Sequence, residues 1–227
     1  MFLYIGCMAK KPTKRNKTVH VKSSRGRKSS STAWLRRQLN DPYVLEAQRL
    51  GYRSRAAFKL TEMEEKLKLI KPGMLIVDLG AAPGGWAQIA VNMGAEVIGL
   101  DLIEMEEMPG ATFLQMDFTD DDAPEALLKL LDGRKPDMVI SDLSPYTTGH
   151  QKTDHLRIMM LVEMAYDFTK QVLKPGGHFI AKVFQGGAQS DIVKMVKADF
   201  QKMKHFKPKA SRKESPETYL IALNFGN

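Results

Sequence analysis

MLIVDLGAAPGGWAQIAVNMGAEVIGLD, residues 74–101, decides the fold of this chain. A short β-rich run (74–79) enters a glycine-rich turn, a helical pattern follows at 84–93, and a second β-rich run (95–100) ends at Asp101. Strand, turn, helix and strand in that order spell a βαβ unit, whose strands lie parallel with a right-handed crossover. Reading outward, further β-rich runs occur at 112–116, 137–141, 177–184 and 218–225. Helical spacing of apolar residues appears at 43–50, 54–69, 123–131, 153–173 and 190–203. Lys-Pro-Gly stands before two of the strands, at 71–73 and 174–176, as a helix stop used twice. Alternating strands and helices predict a doubly wound, Rossmann-like α/β fold.

Composition bounds what such a fold can do. The chain has 227 residues, enough for one α/β domain with a sizeable core. Its 43% hydrophobic and 26% charged residues exclude wholesale disorder. A single cysteine, Cys7, excludes a disulfide framework and a cysteine-based zinc cluster. Met8 begins MAKKPTKR, a second candidate start that would leave Cys7 out of the working protein. The histidines show no metal-ligand spacing, so no metal is expected, and no apolar stretch is long enough to predict a membrane span. The net charge of +8 is unevenly placed: residues 1–40 hold eleven Lys or Arg and no acid, whereas residues 72–151 hold 14 acids and three bases. Residues 1–40 therefore read as a flexible basic tail and 41–227 as a single domain. Phosphate contact with a nucleic acid, simple solubilisation and organelle targeting all remain open for that tail.

A charged residue marks the carboxyl end of each core strand: Asp78, Asp101, Asp117 and Asp142 after the first four, and Lys182 within the fifth. In open α/β sheets, ligands bind outside those ends, at the switch in strand order. The turn Asp78-Leu-Gly-Ala-Ala-Pro-Gly-Gly-Trp86 lets a ligand approach the backbone, but it is neither the dinucleotide fingerprint nor a P-loop. Asp101 follows Gly80 by 21 residues, close to the spacing at which an acid meets ribose hydroxyls. A nucleoside without pyrophosphate fits this pattern, with ribose on Asp101 and adenine near Asp117, and S-adenosylmethionine is that ligand. Lys182 interrupts an apolar strand, where a buried amine is costly unless it is paired or used.

Five stretches carry a resemblance: Tyr52-Arg-Ser-Arg-Ala-Ala-Phe-Lys59-Leu, Val77-Asp-Leu-Gly-Ala-Ala-Pro-Gly-Gly-Trp86, Asp142-Leu-Ser-Pro145, Ala181-Lys182-Val-Phe-Gln-Gly186 and Ser211-Arg-Lys-Glu-Ser-Pro-Glu217-Thr-Tyr-Leu220. In this order, from about residue 33 onward, the chain resembles the FtsJ/RrmJ (RlmE-type) family of ribosomal RNA large-subunit 2′-O-ribose methyltransferases. The resemblance implies a methyltransferase fold, mostly parallel with an antiparallel strand near the C-terminus. It implies a catalytic set of Lys182, Lys59, Asp142 and Glu217. Contacts to S-adenosylmethionine are implied at Gly84, Trp86, Asp101, Asp117 and Asp142, with Trp86 half core and half cofactor wall. A uridine of large-subunit rRNA, within the ribosomal subunit, is the implied substrate. A cytoplasmic bacterial monomer is expected, with a mitochondrial location as the alternative. The loop Tyr146-Thr147-Thr148-Gly149 departs from the family's Asn-Met-Ser-Gly.

A ribose hydroxyl is a poor nucleophile until its proton is withdrawn, so the reaction needs a base and precise positioning. Lys182 is the expected proton acceptor, Asp142 its orienter, and Lys59 and Glu217 the residues that place the ribose. Taken singly, Lys59 also reads as a surface lysine and Glu217 as a turn residue. Cations at Arg49, Arg53, Arg55 and Lys59, and again through 202–213, suggest a track for an RNA backbone. Phe206 and Tyr219 lie near that track, either to stack a base or to pack in the sheet. A methyltransferase for another acceptor and a non-catalytic RNA-binding module are the competing functions.

Overall fold

A computed structural model of the chain describes residues 29–145, 148–185 and 190–226. The elements are α1 (Ser29–Leu39), α2 (Pro42–Leu50), α3 (Ala57–Leu67), β1 (Leu75–Leu79), α4 (Gly85–Asn92), β2 (Glu96–Asp101), β3 (Ala111–Gln115), α5 (Ala123–Leu131), β4 (Met138–Ser141), α6 (Gln151–Val172), β5 (His178–Phe184), α7 (Ser190–Asp199), β6 (Phe200–Phe206) and β7 (Glu217–Phe225). They build one seven-stranded sheet in the order β3-β2-β1-β4-β5-β7-β6. The first five strands are parallel, whereas β7 runs antiparallel to both β5 and β6. The expected architecture, antiparallel strand included, is the one observed.

Strand alternation sends side chains to two cores. Val77, Leu79, Ile98, Val139, Phe179 and Ala181 join the helices α5, α6 and α7 on one face. Ile76, Val97, Ile140, Ile180, Tyr219 and Ile221 meet α3 and α4 on the other. This parity has a functional result. Asp78 and Lys182 lie two residues on from Ile76 and Ile180, Asp142 follows Ile140 at the same interval, and Glu217 precedes Tyr219 by two. Four charged side chains are thereby directed to the α3 face at one end of the sheet.

Two elements differ from the sequence reading. Residues 200–206 are strand, where the helical pattern extended to 203. Phe200, Met203 and Phe206 recur every third residue, which mimics a helix. Pairing along β7 and the contact of the Phe200 and Phe225 rings, 5.1 Å apart, favour the extended form. Residues 29–39, placed with the tail by composition, form α1, as the helix formers Ala33, Leu35, Arg36 and Gln38 allow. Residues 1–28, and with them most of the basic tail, lie outside the described residues, as do Tyr146, Thr147 and Gly186.

The strand order reverses between β1 and β4, and a crevice opens there. Gly80, at φ +77°, turns the chain out of β1, and a Cβ at this position would lie 2.8 Å from the Leu143 backbone nitrogen. Gly80→Ala therefore forces β1 and the segment after β4 apart. A loss of about 1–3 kcal/mol is expected, read as a lower urea midpoint at unchanged slope.

Candidate active site

The crevice is a cavity of about 560 Å³, within the range of nucleotide-sized ligands. Gly80, Ala82, Asp101, Asp117, Asp142 and Lys182 are among the residues that line it. Asp101 is held rigidly: one carboxylate oxygen accepts from the Ala82 amide and the other from the Ile103 amide, each at 2.9 Å. Asp117 is fixed by the amide and hydroxyl of Thr119 at 2.9 and 2.8 Å. Each carboxylate keeps acceptor capacity toward a hydroxyl or amine. Three carboxylates against Arg157 and Lys182 suit a neutral or cationic nucleoside and disfavour a pyrophosphate. The donor set thus fits S-adenosylmethionine.

Two of the sequence-derived cofactor residues stand elsewhere. Gly84 caps α4 in a left-handed conformation and is not among the residues lining the cavity. Trp86 is 2% exposed, donates its ring N–H to the Ala56 carbonyl at 2.9 Å and packs on Tyr219. The expected half-core, half-wall placement is in this structure a wholly core one.

Lys182, Asp142, Lys59 and Glu217 come together in one cluster, which meets the cavity at Asp142 and Lys182. The Lys182 amine donates to the Asp142 carbonyl at 2.7 Å and pairs with its carboxylate at 2.9 Å. Lys59, carried on α3, pairs with Glu217 at 2.9 Å and lies 3.6 Å from Asp142. Only 7% of the Lys182 side chain and 11% of the Lys59 side chain is exposed, so both amines are held in a low-dielectric setting by carboxylates. Burial alone pulls the Lys59 pKa down. The Asp142 and Glu217 carboxylates outweigh it, leaving a net upward shift that keeps this amine protonated. Burial pushes Asp142 up, but Lys182, Lys59 and the Tyr219 hydroxyl hold it below the usual carboxylate range.

From the sequence, Tyr219 reads only as a stacking or packing residue. Its ring is core, yet its hydroxyl donates to Asp142 at 2.6 Å and accepts from Lys59 at 3.0 Å. It also lies 3.2 Å from Glu217. The register β5–β7 places Tyr219 directly opposite Lys182, which brings the phenol into the cluster. Ser211, a further residue the sequence did not single out for a role, donates to Glu217 at 2.8 Å.

Behind the cluster, Asp78 is fully buried, and its carboxyl oxygens have no partner that makes a well-aligned hydrogen bond among the described residues. Burial first, then the charges of Asp142 and Asp101, raise its pKa well above the ordinary value, against a smaller pull from the Ala87 amide. An acid whose folded pKa is raised costs stability as pH climbs from its unfolded value, 3.8, through the folded one. Asp142 works in the opposite sense, adding stability above the unfolded value that is lost as pH falls through its depressed one. Asp78→Asn removes only the first contribution. Its stability gain over the parent is expected to grow with pH above the ordinary carboxylate range and to vanish below it. Urea unfolding of both proteins from about pH 4 to about pH 9 checks the sign.

The cations of the first group expected along an RNA track all have partners within the chain, Arg49 in an exposed pair. Arg49 pairs with Glu46, Arg55 binds Asp41 and the Ala210 carbonyl, Lys59 sits in the cluster, and Arg53 holds main-chain carbonyls. In the second group, Lys202, Lys204, Lys209 and Lys213 are exposed, and Lys207, also exposed, donates to the Ser215 carbonyl.

The model of the FtsJ-like methyltransferase family matches residues 52–225, a span that takes in every residue of the cluster. The chain belongs to that family. The FtsJ-like fold is shared with a protein from Plasmodium falciparum described as a ribosomal RNA methyltransferase. Its solved structure superposes with a TM-score of 0.69 at 32% identity, covering 78% of this chain and all of that one. Among curated relatives, the "Ribosomal RNA large subunit methyltransferase E" of Maricaulis maris is 61% identical, over 90% of this chain and 74% of its own length. The protein of the same name from Azorhizobium caulinodans is 56% identical, over 94% of this chain and 91% of its own. As an FtsJ-like methyltransferase, the chain is an enzyme that transfers methyl groups. Among the described residues, no helix is long and apolar enough to cross a membrane.

Proposed function

We propose that this FtsJ-like enzyme methylates a ribose 2′-hydroxyl in large-subunit ribosomal RNA, most simply at a uridine, using S-adenosylmethionine in the bacterial cytoplasm. The observation that carries the reading is the opening of a two-lysine, two-carboxylate cluster into an acidic, nucleoside-sized cavity. The names of bacterial relatives support the choice of RNA.

Asp101 and Asp117 would hold the ribose and adenine of the donor, with Asp142 beside its reactive end. Gly84 and Trp86 support this wall from behind, through the start of α4 and the packing on Tyr219. Bound S-adenosylmethionine supplies an activated methyl group and a sulfonium charge. Of the two amines, only Lys182 lines the cavity, and it is the proton acceptor in this proposal. Asp142 fixes the position of this amine through its carbonyl at 2.7 Å and its carboxylate at 2.9 Å. Lys59, kept charged, and Glu217 orient the hydroxyl. The exposed lysines at 202–213 would follow the RNA backbone by counterion release.

The test is methyl transfer from labelled S-adenosylmethionine to large ribosomal subunits from cells lacking the enzyme, and to rRNA extracted from them. A single ribose newly resistant to alkaline cleavage is expected. Label on protein, or on a base and not a ribose, would overturn the assignment.

A further inference from the structure

Arg53 lies between α2 and α3, and its position in the sequence suggests one more cation for RNA. Its surroundings say otherwise. Its guanidinium donates to the Glu106 carbonyl at 2.9 Å, the Glu107 carbonyl at 2.7 Å and the Pro83 carbonyl at 3.4 Å. It also lies over the Phe113 ring, 5.8 Å from the centroid. A Cβ on Gly84 would come within 2.9 Å of the guanidinium, so the glycine is what lets the side chain reach across. The base of Arg53 is anchored as well, because its amide donates to the Gln88 side chain at 2.9 Å, and Gln88 donates to the Gly51 carbonyl at 2.9 Å.

The three carbonyls belong to two separate loops. Pro83 follows Gly80 and Ala82 in the turn after β1, and Glu106 and Glu107 follow Leu102 and Ile103 in the loop after β2. Those four leading residues all line the cavity. The two loops meet a second time at Asp101, whose carboxylate takes one amide from each. One carboxylate gathers amides on the inside and one guanidinium gathers carbonyls on the outside. A lysine cannot reproduce this, since a single ammonium lacks the planar fork.

We propose that Arg53 is a positioning residue for the methyl donor: it clasps the 80–84 turn to the 102–107 loop, sets the width of the cavity between them, and takes no part in RNA binding. This rests on the reading that the cavity takes S-adenosylmethionine.

The full-length protein is compared with Arg53→Ala and Arg53→Lys by calorimetric titration with S-adenosylhomocysteine, and by RNA binding over a salt series. Roughly tenfold weaker nucleoside binding is expected for Arg53→Ala, the equivalent of one charged hydrogen bond, with only partial recovery in Arg53→Lys. RNA affinity and its salt slope stay at the parent values. In steady state, KM for S-adenosylmethionine rises while kcat at saturating donor is retained, a split that general loss of folded protein would not give. Unchanged nucleoside binding in Arg53→Ala overturns the proposal, and a salt slope reduced by about one makes Arg53 a phosphate contact instead. Failure of the parent protein to bind S-adenosylhomocysteine is a separate result, which removes the donor reading itself and this assignment with it.

Discussion

Lys182→Ala is expected to lower methyl transfer by roughly 10²–10⁴-fold, the range supplied by a positioned general base. Binding of S-adenosylhomocysteine should survive, because Asp101 and Asp117 are held by amides and a hydroxyl that the substitution does not touch. The fold should survive too: the removed amine is one of three groups facing the Asp142 carboxylate, and the Lys59 charge and the Tyr219 hydroxyl remain. Single-turnover rates on ribosomal subunits, with calorimetry alongside, separate chemistry from binding. Turnover within a few-fold of the parent would show that another group takes the proton, and Lys182 would then be a structural counter-ion. Lys59→Ala offers the contrast. Its amine is held protonated, so its loss should act on placement of the ribose, raising KM for RNA as well as lowering kcat.

Asp142→Ala should have the largest effect on the molecule as a whole. The carboxylate joins both lysines and the phenol, and its removal leaves Lys182 with only a backbone carbonyl and Lys59 with Glu217. Breaking a buried ion pair by deleting one partner costs about 3–5 kcal/mol. For a chain of this size that is a fall in Tm of roughly 6–20 °C. Activity should be lost at temperatures where the variant is still folded, since the base loses its orienter. Asp142→Asn keeps the shape and a hydrogen-bond acceptor, and should recover part of the stability but little of the rate. A thermal shift of only a degree or two for Asp142→Ala would mean that water reaches the lysines and that the cluster is not a low-dielectric site.

Much of this arrangement is legible in the one-dimensional pattern, and the parts that are not share a cause. The βαβ unit at 74–101 is readable because its strands and helix differ in period and a glycine-rich turn separates them. The acids Asp101, Asp117 and Asp142 could be tied to one cleft because parallel strands place their carboxyl ends along one edge. β6 escaped because three apolar residues at every third position satisfy a helix as well as an edge strand. Tyr219 escaped for a deeper reason. Its ring fills core, so TYLIALNF reads as buried strand, and only the pairing of β7 with β5 shows its hydroxyl opposite Lys182. One signal was present: Glu217 and Tyr219 are two residues apart and so share a face. The partners of the cations at 49–59 were not legible, because sequence shows a charge and not what it pairs with. Each has a partner within the chain: Glu46, Asp41, the carboxylates of the cluster, and bare carbonyls.

The place of β7 within the sheet has a consequence for how the enzyme comes into being. It lies between β5 and β6, although it is made after both. While the chain is being synthesised, β5 has no neighbour on that side and β6 has no ladder to join. The strand that fills the gap also brings Glu217 and Tyr219. Closing the sheet and bringing Glu217 and Tyr219 to Lys59 and Lys182 are therefore one event. A chain cut short before residue 217 is expected to leave the edge of β5 open and to lack both side chains.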